Sequence, residues 1–153
     1  DARNFQQFAE AFGLLLDSTM DDDAIRYHDV LGATYMEFGT SNAHAGQFFT
    51  PWEIAKMVAL TQVDAVDLYN RLAEKDGPVT VHDPCCGSGT LLLAFASCVP
   101  REYIDRRRIV FSGQDLDRTC VTMARCNIRL YGLNGTSLPL LMRRRVAREP
   151  LRV

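Results

Sequence analysis

The segment His82-Asp83-Pro84-Cys85-Cys86-Gly87-Ser88-Gly89-Thr90 holds the residues best suited to chemistry. Val79 and Val81 before it read as a strand and the apolar run after it as a helix, so an acidic residue closes a strand, glycines turn the chain, and a helix begins. That order gathers backbone N–H groups and a carboxylate around one crevice, where open α/β sheets take nucleotide-like ligands. Spacing separates the possible ligands. No G-x-x-x-x-G-K-[ST] occurs, which excludes a phosphate-cradling P-loop. Gly87 and Gly89 supply only two of the three glycines of the dinucleotide fingerprint, and Asp83 would repel a pyrophosphate, which disfavours NAD. S-adenosylmethionine (SAM) has no phosphate; its cationic amino group attracts a carboxylate, and its ribose diol needs an acceptor from the next strand. Asp115, 26 residues after Gly89 and at the end of the second expected strand, is placed for that diol.

Cysteine and histidine add no second chemistry. Cys85 and Cys86 read as walls of the loop, because their one basic neighbour is His82 and a nucleophilic Cys-His pair needs geometry that proximity in sequence does not supply. The five cysteines, at 85, 86, 98, 120 and 126, are an odd number without a C-x-x-C pair, which argues against a disulfide framework and a zinc ribbon and for free thiols in a reducing compartment. His28 and His44 have no partners at metal-ligand spacing, so no metal is expected.

These residues need elements to hold them. From residue 78 to 135 the pattern is βαβα: a strand over 79–83, a glycine turn over 87–89, a helix over 90–97, a strand through Ile109, Val110 and Phe111 ending near Gln114, and a helix capped by Asp117 that runs to Tyr131. Residues 1–77 read as a helical preface. Phe5, Phe8, Phe12, Leu15 and Leu16 give residues 3–17 an apolar stripe expected to be buried, and Asp21, Asp22 and Asp23 suit the start of a second helix leading to His28 and Tyr35. After a loop of small residues over 39–46, Thr50 and Glu53 form a capping box with Pro51 on the first helical position; Ile54, Met57, Val58 and Thr61 are the expected buried face. A further helical stretch over 64–75 stops at Gly77-Pro78.

With 153 residues, 47% of them apolar and 24% charged, the chain is expected to be one globular domain, which excludes disordered and collagen-like classes. No apolar run reaches the roughly 20 residues of a membrane helix, and the first residues carry no basic-then-apolar signal, so a soluble, cytoplasmic protein is expected. The net charge of -2 hides an asymmetry: 5 Lys+Arg against 14 Asp+Glu in residues 1–100, and 12 against 5 in 101–153. Arg106, Arg107, Arg108 and Arg143, Arg144, Arg145 form basic runs that can meet phosphate backbones, with 136–153 reading as a basic tail.

Three blocks, in order, resemble the N6-adenine DNA methyltransferases, especially the modification subunits of type I restriction systems. Gly46-Gln47-Phe48-Phe49-Thr50-Pro51 is similar to G-Q-[FY]-[FY]-T-P, Asp83-Pro84-Cys85-Cys86-Gly87-Ser88-Gly89 to D-P-[AC]-C-G-[ST]-G, and Gly113-Gln114-Asp115-Leu116-Asp117 to G-Q-[ED]-[IL]-[DN]. The resemblance covers about residues 28–135. It implies an α/β fold, a partial, mainly parallel Rossmann-like SAM-dependent methyltransferase sheet behind an N-terminal helical segment. It also implies a SAM site in which Gln47, Phe48, Phe49, Thr50 and Pro51 line the methionine end. Asp83, Cys85, Gly87, Ser88, Gly89 and Thr90 would form the glycine loop, Asp115 would hold the ribose and Leu116 would pack on adenine.

The family's [DNS]-P-P-[FYW] block, which grips the exocyclic amino group and stacks on the flipped base, has no counterpart, since neither Pro-Pro nor Asn-Pro occurs. No catalytic residue is therefore assigned. The resemblance implies the cofactor-binding module of a DNA adenine-N6 methyltransferase that acts on DNA, with a partner subunit or a downstream region completing transfer. A non-catalytic SAM-binding regulatory or decoy subunit, and an RNA or protein amide methyltransferase, stand as alternatives.

Overall fold

The computed structural model describes residues 2–20, 27–38, 49–74 and 77–135. Its elements are α1 (Ala2–Met20), α2 (Val30–Glu37), α3 (Trp52–Gln62), α4 (Ala65–Glu74), β1 (Val79–Asp83), α5 (Thr90–Cys98), α6 (Arg101–Asp105), β2 (Ile109–Gly113) and α7 (Arg118–Leu130). The fold is α/β. β1 and β2 are parallel, in register from Val79↔Ile109 to Asp83↔Gly113, so both strands end at the same edge of the molecule. A crossover through α5 and α6 joins them, as parallel pairing requires. Beyond β2, Phe111 N donates to Asn134 O at 2.8 Å and Phe111 bridges Gly135 in parallel, so the chain returns along the far side of β2.

β2 is apolar and buried, as a covered parallel strand should be, whereas β1 alternates between half-buried and exposed positions. Phe111, Leu92 and Leu93 lie at the centre of the core, joined by Val121, Ala124 and Ile128 from α7. Asp117 caps α7 as expected, accepting from Thr119 N at 2.6 Å. The same helix stops at Gly132, whose φ of +64° lets Leu133 N reach back to Ile128 O at 2.9 Å.

Three expectations fail in the helical preface, each for a physical reason. The capping box does not form: Pro51 is the N-cap of α3, no side chain caps the helix, and the first turn closes through Ala55 N to Pro51 O at 3.0 Å. The buried face of α3 is not Ile54, Met57 and Val58, which are 47%, 58% and 37% exposed, but Ala55 and Ala59. Both sets have helical spacing; the alanines win because they meet Ala94 of α5, where small side chains let two helices approach closely. On α1, Phe5 is 74% and Phe12 45% exposed while Leu15 and Leu16 are half-buried, so the stripe is only partly covered; the side chain of Phe8 lies outside the described residues. An apolar periodicity makes an amphipathic helix whether or not a surface covers it. Asp21, Asp22, Asp23, the loop over 39–46, and Gln47 and Phe48 also lie outside the described residues.

Candidate ligand site at the carboxyl end of the sheet

β1 ends on Asp83, and a tight turn follows because the Asp83 side chain organises it. Oδ1 accepts from Cys85 N at 2.9 Å, the hydrogen-bonded Asp turn that favours loop over strand. The main chain then fastens to the end of β2, with Gln114 N donating to Asp83 O at 2.9 Å and Cys86 N to Gln114 O at 2.8 Å. Gly87 and Gly89 take φ of +53° and +93°, a region that only glycine enters freely. At Gly87 a Cβ would lie 3.2 Å from the Phe49 ring, which covers the loop; at Gly89 it would lie 3.4 Å from Ala124 Cα. The close approach at Gly89 is therefore to the backbone of α7.

Two carboxylates hold the main chain of this loop, Asp83 through Cys85 N and Asp115 through Gly87 N. Asp115 is half-buried; its Oδ2 accepts from Gly87 N at 2.9 Å and its Oδ1 from Asp117 N at 2.8 Å, which leaves lone pairs on both oxygens. Asp83 Oδ2 is buried and has no hydrogen-bond partner among the described residues. Burial raises the Asp83 pKa above the ordinary carboxylate value and the Asp115 charge adds to this, against the lowering effects of the Cys85 N–H and of His82. A buried carboxylate oxygen without a donor is a costly group that a cationic ligand would satisfy. Leu116, 57% exposed, offers an apolar surface beside Asp115.

On the other side of the loop, a cavity of about 240 Å³ is bordered by His28, Asp29, Gly32, Phe49, Thr50 and Thr90 among others. Phe49 stacks near Tyr35 with ring centroids 5.8 Å apart, and His28 lies 4.5 Å from Trp52. A larger cavity of about 540 Å³ follows β1 between α3, α4 and α5, but it meets the polar loop only at Asp83 and Pro84. The smaller cavity is bordered by Phe49, Thr50 and Pro51 and, from the residue that follows the glycine loop, by Thr90.

The structure thus brings together Phe49, Thr50, Asp83, Cys85, Gly87, Gly89, Asp115 and Leu116. Ser88 and Thr90 are both buried, and their hydroxyls donate to the carboxylate of Asp29, so only their main chain is left to face a ligand in the loop. Local spacing shows Asp29 only as a helix cap, since its other partners lie 59, 61 and 98 residues away. His82 leaves the cysteines alone, with Nδ1 3.1 Å from Ser112 Oγ. Arg106 and Arg107 are exposed at the turn before β2, and Arg108 Nη2 donates to Leu72 O at 2.5 Å. This basic turn is at the amino end of β2, away from the crevice. Arg143, Arg144 and Arg145 lie outside the described residues.

Among the described residues no helix is long and apolar enough to cross a membrane, and no cluster of His, Cys, Asp and Glu could hold a metal ion. Burial and the neighbouring acids push the Cys86 and Cys120 thiols up to about 12. Against a thiol at its ordinary value their thiolate fraction at pH 8 falls by roughly a thousandfold. Native protein treated with iodoacetamide at pH 8 is therefore expected to alkylate at the exposed Cys85 and Cys126 at least about a hundredfold faster than at Cys86 and Cys120. Peptide mass mapping checks this, and denaturant should erase the difference.

A parallel sheet whose carboxyl end carries a glycine loop and two acids has the arrangement at which open α/β sheets can take ligands, which makes this strand-to-helix turn the candidate site. The comparisons place it further. The N-6 DNA methylase family profile matches residues 26–143, and the chain belongs to that family. Two methylase subunits of type I restriction enzymes from Methanocaldococcus jannaschii, MjaVIII and MjaIX, are each 29% identical to it, over 70% and 72% of this chain but 17% and 18% of theirs. The MpnII methylase subunit of a type I restriction enzyme from Mycoplasma pneumoniae is 28% identical over 63% of this chain and 16% of its own. The chain spans less than a fifth of the length of these relatives. The type I restriction-modification methyltransferase subunit from Streptococcus thermophilus aligns with a TM-score of 0.42 and 24% identity, over 86% of this chain and 27% of that one.

Proposed function

We propose that this chain is the cofactor-binding part of a SAM-dependent DNA adenine-N6 methyltransferase of the restriction-modification type, with transfer completed by further protein. The observation that carries the reading is Asp83 Oδ2, buried and without a donor among the described residues, at the start of the glycine loop whose Gly87 N–H is held by Asp115. The SAM ammonium supplies the missing donor to Asp83, and the ribose hydroxyls take the free lone pairs of Asp115. Leu116 provides apolar surface for the adenine and Phe49 for the methionine end, with Thr50 and Pro51 beside it; the resemblance assigns Gln47 and Phe48 to the same end. Gly87 and Gly89, together with the main chain of Ser88 and Thr90, shape the loop against the ligand. SAM supplies the methyl group; the residues of this chain bind and orient it. The family and the type I relatives support DNA as the substrate and a multi-subunit partner. The [DNS]-P-P-[FYW] block would come from that further protein.

Calorimetric titration of the chain with SAM, and with NAD as control, tests this. SAM should bind and NAD should not. Asp115→Ala should weaken SAM binding by about 1–3 kcal/mol, the range for hydroxyls left without acceptors. In the same samples adenine-containing DNA should not be methylated. Absence of SAM binding overturns the proposal, and unchanged affinity in Asp115→Ala removes that residue from the ribose role.

A further inference from the structure

Asp29 is the one acidic residue among those described that is nearly fully buried, at 5% exposure. As the N-cap of α2 it accepts from Gly32 N at 2.8 Å through Oδ1. The same oxygen accepts from Asn127 Nδ2 of α7 at 2.7 Å. Oδ2 accepts from Thr90 Oγ1 at 2.5 Å and from Ser88 Oγ. Asn127 Nδ2 also donates to Ser88 O at 2.9 Å. Four neutral donors from three separate segments therefore fill one carboxylate, so its oxygens are committed to the protein and do not act as ligands.

The glycine loop is consequently held from two sides. On the crevice side, Gly87 N donates to Asp115 Oδ2. On the inner side, Ser88 and Thr90, which flank Gly89, donate to Asp29. The two holds differ in kind. Asp115 is half-buried and keeps lone pairs on both oxygens, whereas Asp29 is buried and both of its oxygens already accept two hydrogen bonds from the protein.

We propose that Asp29 is a positioning residue that sets the glycine loop for the cofactor through Ser88 and Thr90, an inference that rests on the SAM reading of this site. Asp29→Asn keeps the side-chain size but replaces one acceptor oxygen by an NH₂ group facing two hydroxyls that had donated to it. Those hydroxyls lie only 3.2 Å apart and must both turn round to accept. The loop they flank then moves.

The test uses the full chain and SAM itself, titrated well below every unfolding midpoint so that a role in stability alone leaves the Kd unmoved. Asp29→Asn is expected to raise the Kd at least tenfold and to shift the amide resonances of Gly87 and Gly89 in the ligand-free protein. In a Thr90→Val background the same substitution should add less than threefold, because both changes cut one connection. Should Asp29→Asn not fold, Ser88→Ala and Thr90→Val each remove a single donor and should each raise the Kd several-fold with the same two resonances shifted. A wild type that binds SAM beside an Asp29→Asn variant that binds equally well overturns this inference alone, as does full additivity with Thr90→Val. A wild type that does not bind SAM overturns the cofactor reading and the inference with it.

Discussion

Replacing Gly32 by alanine is expected to destabilise the domain by about 3 kcal/mol, although helix propensity alone predicts the opposite. Gly32 lies in α2, where alanine gains about 1 kcal/mol over glycine. The added methyl, however, would fall on Asp29 Oδ2, 2.8 Å from Asp29 Cγ and 2.5 Å from Ser88 Oγ, closer than real carbon atoms approach. Neither neighbour can move freely, because the carboxylate is held by four donors and Ser88 is wholly buried. Relief requires breaking the network and stranding a buried charge, which costs about 3–5 kcal/mol and outweighs the gain in propensity. For a chain of this size that loss lowers the melting temperature by roughly 10 °C. Gly13 in α1 is the internal control: nothing lies within 4 Å of where its Cβ would be, so Gly13→Ala should stabilise by about 0.5–1 kcal/mol. Thermal unfolding of the two variants side by side decides between sterics and propensity, and equal stabilisation by both would sink the network account.

The parts of this fold that sequence makes legible are those whose causes are local. Asp117 caps α7 because its side chain reaches the N–H groups two and three residues on, and β1, the glycine turn and β2 follow from short-range pattern and backbone stereochemistry. The failures are contests between locally equivalent solutions. On α3 the sets Ile54-Met57-Val58 and Ala55-Ala59 both repeat helically, and the choice depends on Ala94, some 35 residues further on, which only the fold brings near. Thr50 has the right spacing to Glu53, yet Pro51 takes the capping position one residue later. Of the candidate site, the positions of Asp83 at the last residue of β1 and of Asp115 two residues beyond β2 could be read from the strand pattern. The inward turn of Ser88 and Thr90 could not, since it depends on a carboxylate that precedes them by about 60 residues.

Asp83→Asn should separate binding from stability more sharply than any other change at the site. In the ligand-free protein the Asp83 carboxyl has its pKa raised, chiefly by burial and further by Asp115. A carboxyl whose folded pKa exceeds its unfolded one opposes folding at pH values above both, and that penalty is relieved as pH falls through the folded value. The neutral carboxamide introduced by Asp83→Asn removes the penalty at pH 7 and can still accept from Cys85 N through its oxygen, as Oδ1 now does at 2.9 Å. The variant should therefore melt at or above the wild-type temperature at pH 7, and its advantage should shrink as pH falls. Binding should move the other way. On the proposed SAM reading, loss of the carboxylate deprives the ammonium of its counter-charge, which should cost about 3 kcal/mol, on the order of a hundredfold in Kd. The wild-type affinity should also fall with decreasing pH while still above the usual carboxylate range, as Asp83 takes up its proton, and the variant should show no such fall. Calorimetry across pH with thermal unfolding on the same samples reads both effects. An Asp83→Asn protein that keeps wild-type affinity would remove Asp83 from the ammonium role, and one that unfolds at a clearly lower temperature would show that its carboxylate serves the fold.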